Sequence, residues 1–447
     1  MEIDEYLQSL KAIDDDFHEA VAQFGLPFEA EESSSRAQRV ERAHSLKCHC
    51  ENAESSLWRG WISPACIACR TGERTRTFFT SLACNRTCYF CFNPNQQDYE
   101  YHRSHRDDIA AELRAAHKHG ERYDYLAITG GEPLLFPNEL FSFLSCAREL
   151  YPEAHTRLYT NGDLLDEEMA QALGAAGLSE IRISIKPPDV EESAPGVELL
   201  GESHEKGLAK ESWLTEKEKR ALELAVAHIP NAMVEMPVIP GTLPSMKRLI
   251  RELDELDVRG INLLEFCFPL TDAAPFASRG FMLRRQPYRH LYNYWYAGGL
   301  PIAGSEQACL DLLEFAKNEK ISLGIHYCSS DNKNSGQIFQ QNKSFREYPA
   351  IRTALPWLTQ NESDYLLECV KVFGKDAEKL RTLWNAERRT EAWAYDETVP
   401  TLSMAPSLLP IARKTLPRGR FACSKNVLEP TKDGKHLRPR EIACEEL

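Results

Sequence analysis

From Arg76 onward the sequence alternates short β-branched and aromatic runs with longer stretches of helical apolar spacing, and this alternation restricts the fold more than any other feature. Runs at 77–82, 125–129, 156–160, 180–186, 232–239 and 261–268 read as strands. Helical periodicity occupies 107–119, 137–150, 215–227 and 243–256 between them. Strands separated by helices pair in parallel, because a parallel partner is reached only through a crossover. Six such units predict an α/β fold, a partial (β/α)6 TIM-like barrel, which a helix near 305–318 and a strand near 322–327 extend. In such folds chemistry sits at the carboxyl ends of the strands. The expected organisation is an N-terminal helix and linker over 1–47, a Cys-rich segment over 48–75, a core domain with its extension over 76–345, and a mixed α/β region over 346–447. In the first helix Ile3, Tyr6, Leu7, Leu10, Ile13, Phe17, Val21 and Phe24 share one side.

A net charge of −14 over 447 residues repels polyphosphate, so nucleic acid is not an expected partner. The N-terminus has no basic segment followed by an apolar one, and no eighteen apolar residues run together. The expectation is a cytoplasmic chain that does not enter the membrane. Seven of the fourteen cysteines lie between Cys48 and Cys91, and in a reducing compartment such crowding reads as metal ligation.

The first barrel strand runs directly into Cys84-Asn-Arg-Thr-Cys88-Tyr-Phe-Cys91. Three thiolates on one short loop can ligate three irons of a 4Fe–4S cube and leave the fourth without a protein ligand. That open corner can chelate the amino and carboxylate groups of a methionine moiety and bring its sulfonium within reach of one electron. Structural zinc wants four ligands, usually in Cys-x2-Cys pairs, and fits this spacing poorly. At the end of the second strand stands Gly130-Gly131-Glu132-Pro133. There two glycines let backbone carbonyls approach an ammonium and Glu132 supplies a complementary charge. Tyr159-Thr160-Asn161-Gly162 ends the third strand, Ile183-Ser184-Ile185-Lys186 the fourth, and Pro237-Val238-Ile239-Pro240-Gly241 the fifth.

Cys-x3-Cys-x2-Cys with an aromatic before the last cysteine, followed by the Gly-Gly-Glu-Pro strand end, resembles the radical S-adenosylmethionine (SAM) superfamily. The resemblance implies a 4Fe–4S cluster on Cys84, Cys88 and Cys91, with Phe90 beside the adenine. It implies that Gly130, Gly131, Glu132 and Pro133 hold the SAM amine. Thr160, Asn161, Ser184 and Lys186 would contact the ribose and methionine carboxylate, and Val238 the adenine. The flanks Leu57-Trp58-Arg59-Gly60-Trp61, Cys66-x2-Cys69, Ile261–Phe266 and His326-Tyr327-Cys328, with Lys333 and Gln337, look like a narrower group. Its members, from archaea and anaerobes, are described as related to pyruvate formate-lyase activating enzymes, and the similarity runs from about Trp58 to Gln337. The implied activity is reductive SAM cleavage, with the 5′-deoxyadenosyl radical modifying a peptide or small metabolite. An electron donor such as flavodoxin or ferredoxin is implied as well. The rival within the class is a glycyl-radical-enzyme activase; the rival outside it is a non-catalytic iron–sulfur or zinc binding protein.

A second metal site is left open. Cys66 and Cys69 with Cys328, and His326 beside it, would hold a second iron–sulfur cluster or zinc, or Cys48 and Cys50 would complete a set of four thiolates with Cys66 and Cys69. The plain alternative is buried thiols behaving as small hydrophobes, with His326 hydrogen-bonded in place. Glu265, at the end of the sixth strand, is a candidate acid–base residue, and Cys328 a candidate hydrogen-atom donor. The long charged stretch 187–212 reads as a lid or a solvated insert. The strip 281–296, with Arg284, Arg285 and Arg289 beside Tyr288, Tyr292, Tyr294, Trp295 and Tyr296, reads first as packing and second as a site for an anionic or peptide substrate. Cys146, Cys267, Cys309 and Cys369 fall in apolar patterns and read as core.

Overall fold

The computed structural model describes residues 2–31, 36–52, 54–186, 213–292, 299–387, 392–434 and 436–447. It divides into two compact units, one formed by Phe24–Pro287 and Trp295–Lys333, the other by Met1–Gln23, Tyr288–Tyr294 and Asn334–Leu447. The stretch 187–212, read above as a lid or insert, lies outside the described residues.

The larger unit is built on a sheet whose described strands are β1 (His49–Glu51), β2 (Ser56–Arg59), β3 (Thr75–Phe79), β4 (Tyr125–Thr129), β5 (His155–Thr160), β6 (Glu180–Ile183), β7 (Asn231–Val238), β8 (Gly260–Glu265) and, later in the chain, one further strand. Between that strand and β8 a small ribbon pairs β9 (Cys267–Phe268) with β10 (Leu300–Pro301). The last barrel strand is β11 (Gly324–Cys328), and the sheet order is β1-β2-β11-β8-β7-β6-β5-β4-β3. From β3 to β11 every neighbour is parallel, which is the expected α/β partial barrel. Helices Ile109–Lys118, Pro137–Leu150, Glu167–Ala175, Glu216–His228, Leu243–Glu255 and Ser305–Glu319 supply the crossovers. Their starts are fixed locally: Asp108, Asp166 and Thr215 each accept a first-turn backbone N–H.

Several elements depart from the sequence expectation: the 180–186 run ends as a strand at Ile183, and 261–268 divides into β8 and β9. Leu57-Trp58-Arg59 is an antiparallel strand that covers the β11 edge, pairing Leu57 with Tyr327 and Trp58 with His326. An uncovered parallel edge would present unpaired backbone groups, so this addition protects it. The first barrel strand ends at Phe79 rather than running to residue 82, because Thr80 and Leu82 bond to residues 107 and 102 instead of to the ladder.

Alternation along each strand sorts the side chains by face. Leu126, Ile128, Leu158, Ile181, Ile183, Val234, Ile261, Leu263 and Ile325 point to the helices and join a core with Phe143, Leu173, Leu222, Leu249 and Leu313. The opposite face carries Arg157, Tyr159, Glu180, Arg182, Glu235, Asn262 and His326. A barrel interior is ordinarily packed with branched apolar side chains. Here it holds charge, which is tolerated only if every group is paired.

In the second unit Ile3–Ala22 forms the first helix, and Ile3 packs with Phe373 and Ala422. Its antiparallel sheet runs through β12 (Thr359–Gln360), β13 (Leu367–Phe373), β14 (Trp393–Asp396), β15 (Thr401–Met404), β16 (Ala422–Pro430) and β17 (Leu437–Glu446). Helix Gly374–Ala386 buries Trp384 against Val370, Leu402 and Met404.

Candidate active site

Beyond β3 the cysteine loop docks on the end of β4 by backbone alone. Gly131 N donates to Ser81 O at 3.0 Å and Glu132 N to Ala83 O at 2.8 Å. A Cβ on Gly131 would lie 1.8 Å from Ala83 O, and one on Gly130, whose φ is +119°, 2.4 Å from Ser81 O. The two glycines are therefore required by the contact between strand end and cysteine loop, a reason the sequence did not disclose.

Glu132 is 1% exposed and its carboxylate turns inward. It accepts from Thr160 Oγ1 at 2.7 Å, Asn161 N at 2.7 Å and Leu134 N at 3.0 Å. Burial raises its pKa, and the donors work against that rise. Glu132 thus ties β4 to β5; the complementary charge expected toward an ammonium is engaged inside the protein.

Asn161 continues the chain of contacts. Its Nδ2 donates to Asn85 Oδ1 at 2.7 Å and lies 3.9 Å from Cys84 Sγ, while Asp163 N donates to its Oδ1 at 2.9 Å. Arg86, inside the cysteine loop, grips Asp163 in bidentate fashion at 2.8 Å on both oxygens. The same guanidinium donates to Asn161 O at 3.1 Å and Ser184 O at 3.2 Å. One side chain therefore fastens the loop to the ends of β5 and β6. Arg86, Asn85 and Asp163 escaped the sequence reading because their partners lie more than seventy residues away.

The donor chemistry of the loop suits thiolates. Arg86 N donates to Cys84 Sγ at 3.4 Å; burial pushes the Cys91 thiol up, and a hydrogen bond from the Asn93 backbone works against that rise. Burial pushes the Cys88 thiol up; Cys91 adds to the rise, and Lys186 and Arg86 oppose it. Among the described residues no three His, Cys, Asp or Glu side chains stand preassembled at metal-ligating spacing. Thiols of a cluster loop converge with the metal rather than before it.

Phe90 meets Phe266 edge-on at 5.8 Å, within an aromatic wall that includes Tyr89 and Phe276. Pro133 is buried, Ser184 and Lys186 are exposed, and Thr160 is committed to Glu132 and Gly162. Val238 is fully buried in the helix-side core and its carbonyl accepts from Ser305 Oγ at 2.8 Å.

Inside the barrel Arg182 bridges Glu180 and Glu235, each at 2.6 Å. Burial works to raise the Glu180 pKa, yet the Arg182 charge and hydrogen bonds from His155 and Ser63 bring it down to about 2. Cys66, on the short helix Pro64–Cys69, receives Arg182 Nη2 and Asn262 Nδ2 at 3.3 Å each. His326 is neutral, its pKa lowered to about 3 by burial and then by Arg182. Its ring nitrogens face Asn262 Oδ1 and Ser56 Oγ at 2.9 Å. The histidine is hydrogen-bonded in place, as the plain alternative had it. The Cys328 thiol, pushed up to about 12 by burial, shares its surroundings with Cys69 and Cys66. Cys50 lies on β1 and Cys48 just before it, both packed against the helix-side core, and Cys48 has Arg59, Cys50 and Lys317 in its surroundings.

Glu265 does not face the interior. It lies on the helix side of β8, held by Arg284 Nη1 at 2.6 Å and by Ser330 N at 2.8 Å. Both oxygens are engaged, which removes it from acid–base candidacy. Arg284 also reaches Glu306 at 3.1 Å, so this member of the 281–296 strip is packing; residues 293–298 lie outside the described ones.

Residues 79–253 match the model of the Radical SAM superfamily. The chain is similar to a Methanocaldococcus jannaschii protein provisionally designated a glycyl-radical enzyme activating enzyme. The two are 26% identical over 323 residues, which is 70% of this chain and 75% of that one. Among solved structures it resembles native anSMEcpe with bound AdoMet and Cp18Cys peptide, with 20% identity, a TM-score of 0.32, and 44% of this chain and 51% of that chain covered. It also resembles Streptococcus suis SuiB bound to the precursor peptide SuiA, with 12% identity, a TM-score of 0.39, and 71% and 57% covered. The chain spans little more than half the length of these structures. No helix among the described residues is long and apolar enough to cross a membrane. The cysteine loop seated on a Gly-Gly strand end lies inside residues 79–253, the segment that matches the radical SAM superfamily, whose members are enzymes that use a 4Fe–4S cluster and S-adenosylmethionine.

Proposed function

We propose that this enzyme reductively cleaves SAM at a cluster held by Cys84, Cys88 and Cys91 and modifies a peptide or small-metabolite substrate admitted to the barrel. The observation that carries the reading is the docking of the cysteine loop onto the Gly130–Gly131 strand end, with Arg86 spanning to the ends of β5 and β6. When bound, the cluster supplies the electron that breaks the C5′–S bond of SAM. The protein's part is placement. Gly130 to Pro133 set the strand end beside the loop, Thr160 and Asn161 fix Glu132, and Ser184 and Lys186, exposed beyond the end of β6, are available to a methionine carboxylate. Phe90 and its aromatic neighbours offer an apolar wall for adenine.

The charged barrel interior favours a substrate small enough, or with a segment narrow enough, to enter it. The designation of the M. jannaschii relative supports the second reading, a glycyl-radical-enzyme activase acting on a partner protein. Either reaction needs a one-electron donor of the flavodoxin or ferredoxin class. Fourteen free cysteines agree with a reducing, cytoplasmic setting.

Anaerobic reconstitution with iron and sulfide, then SAM and dithionite, is expected to yield 5′-deoxyadenosine and methionine in equal amounts. Formation of neither would sink the reading. Arg86→Met is expected to keep its iron but lose roughly tenfold to a hundredfold in the rate of 5′-deoxyadenosine formation, the cost of a loop displaced by about 1 Å. An unchanged rate would show that the latch positions nothing.

A further inference from the structure

Lys333 follows β11 and is half-buried, and among the described residues it has no ion-pair partner and makes no hydrogen bond. Its ammonium shares its surroundings with Cys328, Cys267, Glu235 and Cys69. Each of the first three is engaged elsewhere. Glu235 Oε2 takes Arg182 Nη1 at 2.6 Å and Asn262 Nδ2 at 2.7 Å. Cys328 Sγ takes Asn332 Nδ2 at 3.3 Å, and Cys267 Sγ meets Ser330 Oγ at 3.1 Å. Of the neighbours that favour its charged form only Glu235 is a carboxylate, and that one is shared with Arg182 and Asn262, which leaves the ammonium able to take a ligand anion.

Position gives the charge a use. β11 is parallel to β3 and β4 through the intervening strands, so Cys328 and the residues after it stand at the same end of the sheet as the cysteine loop. Cys328 shares the interior face with His326, above the Arg182 network. We propose that Lys333 anchors a carboxylate of the substrate, supplied either by a small organic acid or by a peptide. A single ammonium beside Glu235 and several thiols matches one negative charge; a phosphate dianion would call for more donors than this corner holds. The assignment rests on the barrel interior being the substrate site, and it narrows the substrate to carboxylate-bearing molecules.

The test is lysine labelling of the full reconstituted chain with a neutral amine-reactive ester, read residue by residue by mass spectrometry. Succinate, N-acetylglycine, N-acetylglycinamide and inorganic phosphate serve as probes. Succinate or N-acetylglycine is expected to slow labelling of Lys333 about tenfold at ten times its dissociation constant. Exposed Lys217 and Lys379 should be unaffected, and the neutral amide should do nothing. Slowing by succinate alone points to a small acid; slowing by N-acetylglycine as well admits a peptide terminus. In thermal unfolding the effective carboxylate should stabilise the wild type and Lys333→Arg but not Lys333→Met. Equal protection by the amide, protection by phosphate alone, no protection, or a Lys333 that never reacts would each overturn the assignment. The readout needs neither SAM nor reductant, so its failure is separable from failure of the SAM-cleavage reading.

Discussion

Gly131→Ala is expected to destroy the site through a single methyl group. The added carbon would sit 1.8 Å from Ala83 O, 2.3 Å from Ala83 C and 2.7 Å from Leu82 C, all of them backbone atoms that cannot rotate away. Relief requires the cysteine loop to lift from β4 and give up the Gly131 to Ser81 and Glu132 to Ala83 hydrogen bonds. Overpacking of this kind costs about 1–3 kcal/mol, and a loop displaced by about 1 Å costs about a hundredfold in rate. The check is a denaturant midpoint together with the rate of 5′-deoxyadenosine formation. Gly120→Ala provides the comparison: its φ is +85° but nothing lies within 4 Å of the new carbon. That variant should lose about 1 kcal/mol from the left-handed backbone and keep its rate. Equal behaviour of the two variants would refute the packing account of the Gly-Gly pair.

Arg182→Met is the second large effect. Arg182 and Glu180 are almost wholly enclosed, with side-chain exposures of 3% and 0%, and Glu235 is 16% exposed. Removing the guanidinium takes from Glu180 and Glu235 the cation that bridges them and takes a donor from Cys66. Breaking a buried pair from one side costs about 3–5 kcal/mol. The sign of the pH dependence follows from Glu180. In the wild type its folded pKa is depressed to about 2, so its contribution is present above the unfolded value near 4.5 and is lost as pH falls toward 2. In the variant burial is opposed only by His155 and Ser63, so the depression weakens and the folded state takes up protons more readily. The stability gap between variant and wild type should therefore be widest at neutral pH and should narrow as pH falls below the unfolded value. A gap that is constant with pH would mean that Arg182 contributes packing rather than charge.

What could be read from the chain, and what could not, divides by range. The parallel strands were legible because buried β-branched runs recur between helical spacings, and the cysteine loop because three thiols at x3 and x2 spacing suit little else. The Leu57–Arg59 strand was invisible as a strand, since its partner β11 begins more than 260 residues later. Glu132 sits at the strand end that docks the cysteine loop, and its carboxylate turns into the protein rather than outward as its motif suggests. A carboxylate after two glycines reads as a charge offered to a ligand, and only the positions of Thr160 and Asn161 show it turned inward. Glu265 failed for a reason of parity. It shares its face with Ile261 and Leu263, so alternation alone, applied from Asn262, would have placed it on the helix side. Arg86 offered no signal beyond a cation inside a cluster loop, and Lys333 stood out only as part of a motif whose use the pattern did not reveal.

The central claim is that one loop gives three sulfurs to a cluster and leaves an iron corner for SAM. Electron paramagnetic resonance of the dithionite-reduced protein, recorded with and without SAM beside the Cys84→Ala/Cys88→Ala/Cys91→Ala variant, tests it most directly. The account predicts a cluster signal that changes shape when SAM is added and that the triple variant lacks. A wild-type signal indifferent to SAM, or a SAM-responsive signal that survives loss of the three cysteines, would contradict it.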